Sequence, residues 1–533
     1  MNKRSLLLTI LLALLSLAIQ AQSVIPRLSQ LDVLHYRFEL TLSDQSDEIG
    51  GTAHIRIKFL RELSEFTLDL TSRQSGKMGM LVTNLQEGDQ ALDFRQEGES
   101  LVITFPSPIK PGDEKEFTIQ YSGIPIDGLI IDSNKFGKRT FFGDNWPNRA
   151  HHWLPTVDHP SDKASVEFIV TAPEHYQIIA NGLQIEETNL PNGQKLTHWS
   201  ESAPLPTKVM VIGAAAFAVQ RAGEVSGIPI SSWIYPEDRK AGFYDYAQAL
   251  NVLPFFMEKV GPYSYEKLAN VQSKTRYGGM ENASCIFYYE GSVTGDRDQE
   301  ALIAHEVAHQ WFGNSASEAN WFHVWLSEGF ATYFTILYFE DRHGRAAAQE
   351  LLLEDRDQVI DFAAGDDSPI IDQTVTNYNE LLNVNSYQKG GWVLHMLRRK
   401  VGDEAFWKGI REYYRQFQNR NALTEDFQKI MEKASGQKLG DFFEQWLYRS
   451  GLPLLNVQWK PSGKRNKIRV TIQQTQEADA FRFPLDILVK TTNGNSERIT
   501  LDIKDTVESK VIKIKGEVSS IELDPDVWLL FGE

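Results

Sequence analysis

His305-Glu306-Val307-Ala308-His309 is the stretch on which the reading of this chain turns. On an α-helix, residues four apart stack on one face a turn apart, so both imidazoles can reach one ion. Neutral imidazole nitrogens suit zinc, which takes roughly four tetrahedral ligands at about 2 Å. Glu306 is rotated by about 100° from His305 around the helix. It is too offset for a third in-line ligand, yet close enough to act on a water at the ion, the division of labour in the H-E-x-x-H pattern. The pentamer alone says that a divalent metal can bind. Its surroundings must decide the rest.

Nineteen residues after His309 comes Glu328, inside Trp325-Leu326-Ser327-Glu328-Gly329-Phe330-Ala331. A third ligand that far along cannot share the first helix, so it must project from a following helix packed antiparallel to it. Two histidines and one carboxylate leave a fourth position open, the arrangement of a catalytic zinc and not of a closed structural one. The competing reading is an acidic residue on a solvated helix face, and the apolar neighbours on both sides weigh against it.

Upstream stands Gly278-Gly279-Met280-Glu281-Asn282. Two glycines let a backbone approach a substrate strand, and a carboxylate just after them can pair with an ammonium group. Alone, the string is equally a turn with a surface glutamate. Downstream, Tyr387 opens Tyr387-Gln388-Lys389-Gly390-Gly391-Trp392. A tyrosine hydroxyl aimed at the metal can donate to the oxyanion formed when water attacks an amide; otherwise Tyr387 is an amphipathic core residue. Lys389 either orients this loop or is solvated. Trp311, Trp321 and Trp325 read as core, and His323 as a packed or hydrogen-bonded histidine. His151, His152 and His159 raise the question of a second metal. Without cysteine or carboxylate spacing, they read as structural or substrate-facing.

At 533 residues the chain exceeds one core and predicts roughly three to four domains. Lys3 and Arg4 precede the apolar run Leu6 to Ala18, and Ala21 offers a cleavage point, so residues 1–21 read as a secretory signal peptide. The run is short for a membrane span, so no stable span is expected after cleavage, and the chain is expected in the periplasm or outside the cell. Losing two cations takes the formal charge from −17 to −19. Such an acidic chain, with no basic block, argues against nucleic acid or an anionic membrane as partner. The single cysteine, Cys285, excludes an internal disulfide, and no partner histidine marks it as a nucleophile.

Taken in order, residues 33 to about 217 alternate polar and apolar, as in His35-Tyr36-Arg37-Phe38-Glu39-Leu40, with turn clusters such as Lys110-Pro111-Gly112-Asp113 between runs. That predicts an all-β domain over 22–220. Helical periodicity dominates from Ala241 to about Arg449, giving a mainly helical domain over 221–450. Alternation returns after Gly451-Leu452-Pro453, and Asn493-Gly494 marks a hairpin, so 451–533 reads as a β-sandwich. The fold class is multidomain α+β.

The order G-G-M-E-N, H-E-V-A-H-Q-W-F-G-N, W-L-S-E-G-F-A, Y-Q-K-G resembles the aminopeptidase N-like zinc metallopeptidases, the gluzincin family that includes leukotriene hydrolase. The resemblance covers nearly the whole mature chain. It implies a saddle-like N-terminal β-domain, a thermolysin-like catalytic domain and a C-terminal β-sandwich. It also implies one zinc per chain on His305, His309 and Glu328, with Glu306 as general base and Tyr387 on the tetrahedral intermediate. Glu281 would hold a peptide's free α-amino group, with Gly278 to Met280 pairing to its backbone and Asn282 closing that run. Many relatives place a Gln or Glu from the N-terminal domain beside the α-amino group. Here the matching region, Gly143-Asp144-Asn145-Trp146, leaves Asp144 or Asn145 as the substitutes. Many relatives also continue into a large helical domain, so this chain reads as a short form whose site is more open or is covered by a second copy. A hydrolase of another small substrate, epoxide-type, on the same scaffold and a catalytically inactive peptide binder are the alternatives.

Overall fold

The computed structural model describes residues 28–74, 78–366, 368–462 and 466–533. The expected signal peptide lies outside them. The described residues fall into two compact units: those within Met1–Leu253, Tyr263–Glu306 and Asn419–Asn421 form one, and those within Pro254–Pro262, Val307–Gln418 and Ala422–Glu533 the other.

The first unit is built from strands whose side chains alternate inward and outward. Lys163–Pro173 shows the pattern plainly, every second residue being buried. Eight strands form its largest sheet, in which Leu31–Thr41 runs parallel to Lys163–Pro173 (His35 opposite Ser165) and antiparallel to Ile49–Phe59 (Leu31 opposite Phe59). A three-stranded sheet of Leu63–Asp69, Ser100–Ile109 and Asp93–Glu97 closes over it. The two meet at Phe59, Phe66, Phe105 and Phe117, whose ring centroids lie 5.0 to 6.2 Å apart. Fully burying each such ring contributes about 1.5–3 kcal/mol.

A five-stranded sheet follows: Ala218–Val225, Ile228–Ile234, Leu268–Ser273, Cys285–Tyr289 and, at its edge, the two-residue strand Gly279–Met280. The helical periodicity read from the sequence passes over most of these strands. Leu268–Ser273 is buried at every position and pairs in parallel on both sides, so it shows no alternation. Cys285 sits in this sheet fully buried, and burial pushes its thiol up to about 12. It is not a nucleophile. Helices α1 (Arg239–Tyr246) and α2 (Ala249–Lys259) stand before Leu268–Ser273, and α3 (Glu300–His309) follows the sheet.

In the second unit α4 (Trp325–His343) is the central helix, buried along most of its length. It is followed by α5 (Arg345–Ala363), α6 (Gly390–Val401), α7 (Asp403–Phe417) and α8 (Thr424–Ser435). Phe312, Phe330 and Phe427 pack the core beneath α4, with centroids 4.8 and 5.0 Å apart. Two three-stranded sheets end the chain, and Phe483–Thr491 pairs with Ser496–Ile503 around Gly494, which takes a left-handed φ of 84°. His395 of α6 ties this β-region to the helices. Its Nε2–H donates to the Val527 carbonyl at 2.8 Å, its Nδ1 lies 3.0 Å from the Tyr333 hydroxyl, and its ring stacks on Trp528 at 4.6 Å.

Candidate metal centre

Helix α3 ends on His309, one turn beyond His305. The His309 ring is fixed from behind. Its Nδ1 lies 3.0 Å from the Phe312 carbonyl, which can only accept, so Nδ1 carries the proton; Ser327 Oγ lies 3.1 Å from the same nitrogen. That tautomer leaves a lone pair on Nε2, the usual state of a ligating histidine braced by an outer hydrogen bond. Gly313 makes the support possible: its φ is +110°, and a Cβ there would lie 2.1 Å from Ser327 Oγ and 3.2 Å from His309 Nδ1.

Glu328 sits in the first turn of α4 with its Oε2 3.1 Å from His309 Nε2. The start of α4 is pinned by Thr424, whose hydroxyl accepts from Trp325 Nε1 at 2.8 Å and contacts His323 Nδ1 at 2.8 Å. His323 is therefore a packed histidine, and burial holds its pKa down. Ligand-type atoms of His305, His309 and Glu328 lie within 4.8 Å of one another, and His309 and Glu328 are buried. A lone pair on Nε2 facing a carboxylate oxygen at 3.1 Å needs a cation between them or a second proton on the imidazole. Two imidazoles and one carboxylate are a donor set that fits zinc.

The carboxylates of Glu281 and Glu306 join His309 in a second group within the same 4.8 Å limit, and all three residues are buried. Glu306 lies hard against the edge strand: a Cβ on Gly279 would stand 2.2 Å from Glu306 Oε1 and 2.3 Å from its Cδ. This is why position 279 is glycine. Gly278 and Met280 flank it, and the strand bonds Cys285–Tyr289 on one side with Gly279 opposite Tyr288. The other side ends the sheet. Asn282, expected with the substrate-facing run, is instead fully buried, and its carbonyl accepts from the Cys285 N–H at 2.9 Å.

Tyr387 lies half-buried in a π-helical turn, Asn385–Lys389, leading into α6. The turn is held against α4 by the residue beside Glu328. A Cβ on Gly329 would meet the Gly390 carbonyl carbon at 2.9 Å and the Ser386 carbonyl oxygen at 3.1 Å. Two facing glycines thus bring the Tyr387 turn against the start of α4. Lys389 is buried, not solvated, and burial holds its ammonium down to about 8.

Asp144 and Asn145 do not present themselves to a substrate. Both are 0% exposed. Asn145 donates to the carbonyls of Thr207 at 3.1 Å and Met210 at 2.6 Å, and accepts from Trp153 Nε1 at 2.8 Å. Both of its amide donors and its acceptor are thereby engaged. Asp144 pairs with Arg149 and accepts from the Arg276 N–H at 3.2 Å, so it braces the loop that leads into Gly278. The two side chains that the resemblance offered beside the α-amino group are engaged internally.

A His-Glu-x-x-His helix with a carboxylate donor on the next helix is the donor arrangement of the gluzincin class of metallopeptidases. Comparison with known proteins narrows this. Residues 33–209 match the Peptidase M1 N-terminal domain and 244–446 the Peptidase family M1 domain. The chain belongs to peptidase family M1, among its aminopeptidase N-like gluzincins. It is 29% identical over 503 residues to the glutamyl aminopeptidase of Sus scrofa, covering 88% of this chain and 53% of that protein. It thus spans about half the length of the curated relatives it matches. The M1 zinc metallopeptidase of Deinococcus radiodurans superposes with a TM-score of 0.68 at 26% identity, covering 82% of this chain and 97% of that one. A glutamate-to-alanine variant of that enzyme bound to a Tyr-Ser-Ala substrate gives the same TM-score, 0.68, at 25% identity over 80% and 95% of the two chains.

Proposed function

We propose that this chain is a zinc-dependent aminopeptidase that removes N-terminal residues from peptides. The observation that carries it is the grouping of Glu281 with Glu306 beside His309. One carboxylate there can hold an α-ammonium while the other acts on the first peptide bond. The relatives support the reading, being aminopeptidases by name, with a tripeptide bound in one structural neighbour.

His305, His309 and Glu328 would hold the zinc. Bound there, zinc supplies Lewis acidity, lowering the pKa of a water and polarising a carbonyl. Glu306 takes the proton from the attacking water and returns it to the leaving amine nitrogen. The Tyr387 hydroxyl donates to the oxygen that gains charge as the carbonyl becomes tetrahedral. The open side of Gly279–Met280 receives the substrate backbone as an added strand, and Glu281 pairs with its ammonium. Acylating that amine would leave the Glu281 carboxylate without its cation.

The decisive experiment compares an aminoacyl anilide with its N-acetylated form, with and without a chelator. Hydrolysis should need zinc and disappear on acetylation; equal cleavage of both forms sinks the exopeptidase assignment. Glu306→Gln should lose turnover by orders of magnitude with zinc retained, whereas a binding protein would be indifferent. We further propose that the chain is exported, on the strength of Lys3, Arg4 and the apolar run Leu6 to Ala18. Among the described residues, no helix is long and apolar enough to cross a membrane.

A further inference from the structure

A second group of ligand-type side chains is built into the first unit, well away in sequence from α3. Ligand-type atoms of Glu99, His151 and His152 lie within 4.8 Å of one another. We propose that these residues form a second divalent-cation site of zinc type, separate from the one at His305, His309 and Glu328. It is not the histidine trio that the sequence suggests. His159 turns to Ser161 Oγ at 2.7 Å, and a carboxylate 52 residues upstream of His151 takes its place.

His151 carries the argument. It is 5% exposed, and its buried Nε2 has no hydrogen-bond partner. Glu99 Oε2 faces that nitrogen at 3.7 Å, too far for a hydrogen bond. On the other side of the ring, Nδ1 pairs with Asp158 Oδ2 at 2.7 Å. Asp158 is itself anchored by Thr207 Oγ1 at 2.7 Å and by the His151 N–H at 3.1 Å. A carboxylate held on one imidazole nitrogen, with the other nitrogen turned to the site, is how proteins brace a ligating histidine.

His152 is arranged in parallel. Its Nδ1 pairs with Thr71 Oγ1 at 2.7 Å, which leaves Nε2 to ligate, and its ring centroid is 4.2 Å from that of His151. The third ligand is exposed where the first two are held by hydrogen bonds. The Glu99 side chain is 67% exposed and can swing in, but its backbone is tied. Leu70 donates to the Glu99 carbonyl at 2.9 Å, Ser72 to the Gly98 carbonyl at 2.7 Å, and Thr71 to the His151 carbonyl at 2.9 Å. One short segment therefore holds both halves of the site in register. Oxygen and nitrogen donors on a tetrahedral ion with bonds of about 2 Å stand roughly 3.3 Å apart, close to the 3.7 Å between Glu99 Oε2 and His151 Nε2. An ion here would clasp the Gly98-Glu99 turn to the helical turn Ala150–His152.

Equilibrium dialysis of the full chain against zinc, with metal content measured at saturation, tests this. Two equivalents are expected in the unaltered chain. Glu99→Gln and His152→Gln should each reduce this to one and leave anilide hydrolysis unchanged. His309→Gln should lose the other equivalent and keep this one, so failure of the catalytic site and failure of the clasp are told apart. Cobalt(II) loading should give two sets of d–d bands, one of them missing in Glu99→Gln. A single equivalent in the unaltered chain, or two persisting in both Glu99→Gln and His152→Gln, overturns the proposal.

Discussion

Replacing Gly279 with alanine adds one methyl group to the molecule, and the structure says where the cost falls. The new Cβ would stand 2.2 Å from Glu306 Oε1, whereas ordinary contact begins at 3.4 Å, so one partner must withdraw by about 1.2 Å. The strand cannot easily give, because Gly279 and Met280 are registered against Tyr288 and Phe287. The carboxylate therefore moves. A displacement of about 1 Å in a reacting group is worth on the order of 100-fold in rate, or about 2.7 kcal/mol of transition-state stabilisation. Gly279→Ala should accordingly lower kcat/KM on an aminoacyl anilide by roughly two orders of magnitude, mostly in kcat. Metal content and melting temperature should stay close to those of the unaltered chain, since no ligand is touched. Full activity in Gly279→Ala with zinc bound would refute the placement of Glu306 against the edge strand, and with it Glu306 as the positioned base.

Three further outcomes rest on neighbouring contacts. Ser327→Ala removes the hydroxyl 3.1 Å from His309 Nδ1 and should weaken zinc binding by about 10-fold in a competition assay with a chelator, with the ligands intact. Gly329→Ala forces a Cβ to 2.9 Å from the Gly390 backbone; it should cost about 1–3 kcal/mol in urea unfolding and lower kcat through Tyr387, and an unaltered kcat would detach Tyr387 from the reaction. Burial holds His395 down to about 3 against 6.5 when solvated, so the unfolded chain takes up this proton first as pH falls. The stability it confers is present above pH 6.5 and is lost toward pH 3, at up to about 1.4 kcal/mol per pH unit. His395→Gln should show a shallower acid slope between about pH 6 and pH 4 in chelated samples. Identical slopes would mean that His395 is already protonated in the fold.

Much of this was legible in the sequence because helical spacing is rigid. His305 and His309 had to share a face, and Glu328 had to come from the next helix, whatever else the chain did. The alternating strands before residue 217 and the Asn493-Gly494 hairpin were equally readable, each having one face toward water. What escaped is what depends on packing. Leu268–Ser273 is covered on both faces and offers no alternation to read. Asp144 and Asn145 looked available because a sequence does not show that Thr207, Met210, Trp153 and Arg149 use them up. The contact of Gly279 with Glu306 joins residues 27 positions apart, and two adjacent glycines in the motif gave no sign of which one the carboxylate needs.

The strand Gly279–Met280 has a consequence for the protein's life in solution as well as for its chemistry. An unpaired sheet edge is a template, and a long apolar one invites a second molecule to extend the sheet without limit. This edge is two residues long. It exposes a short row of backbone groups, too few to seed a fibre, so the chain can keep a hydrogen-bonding edge open without becoming a nucleus for its own aggregation.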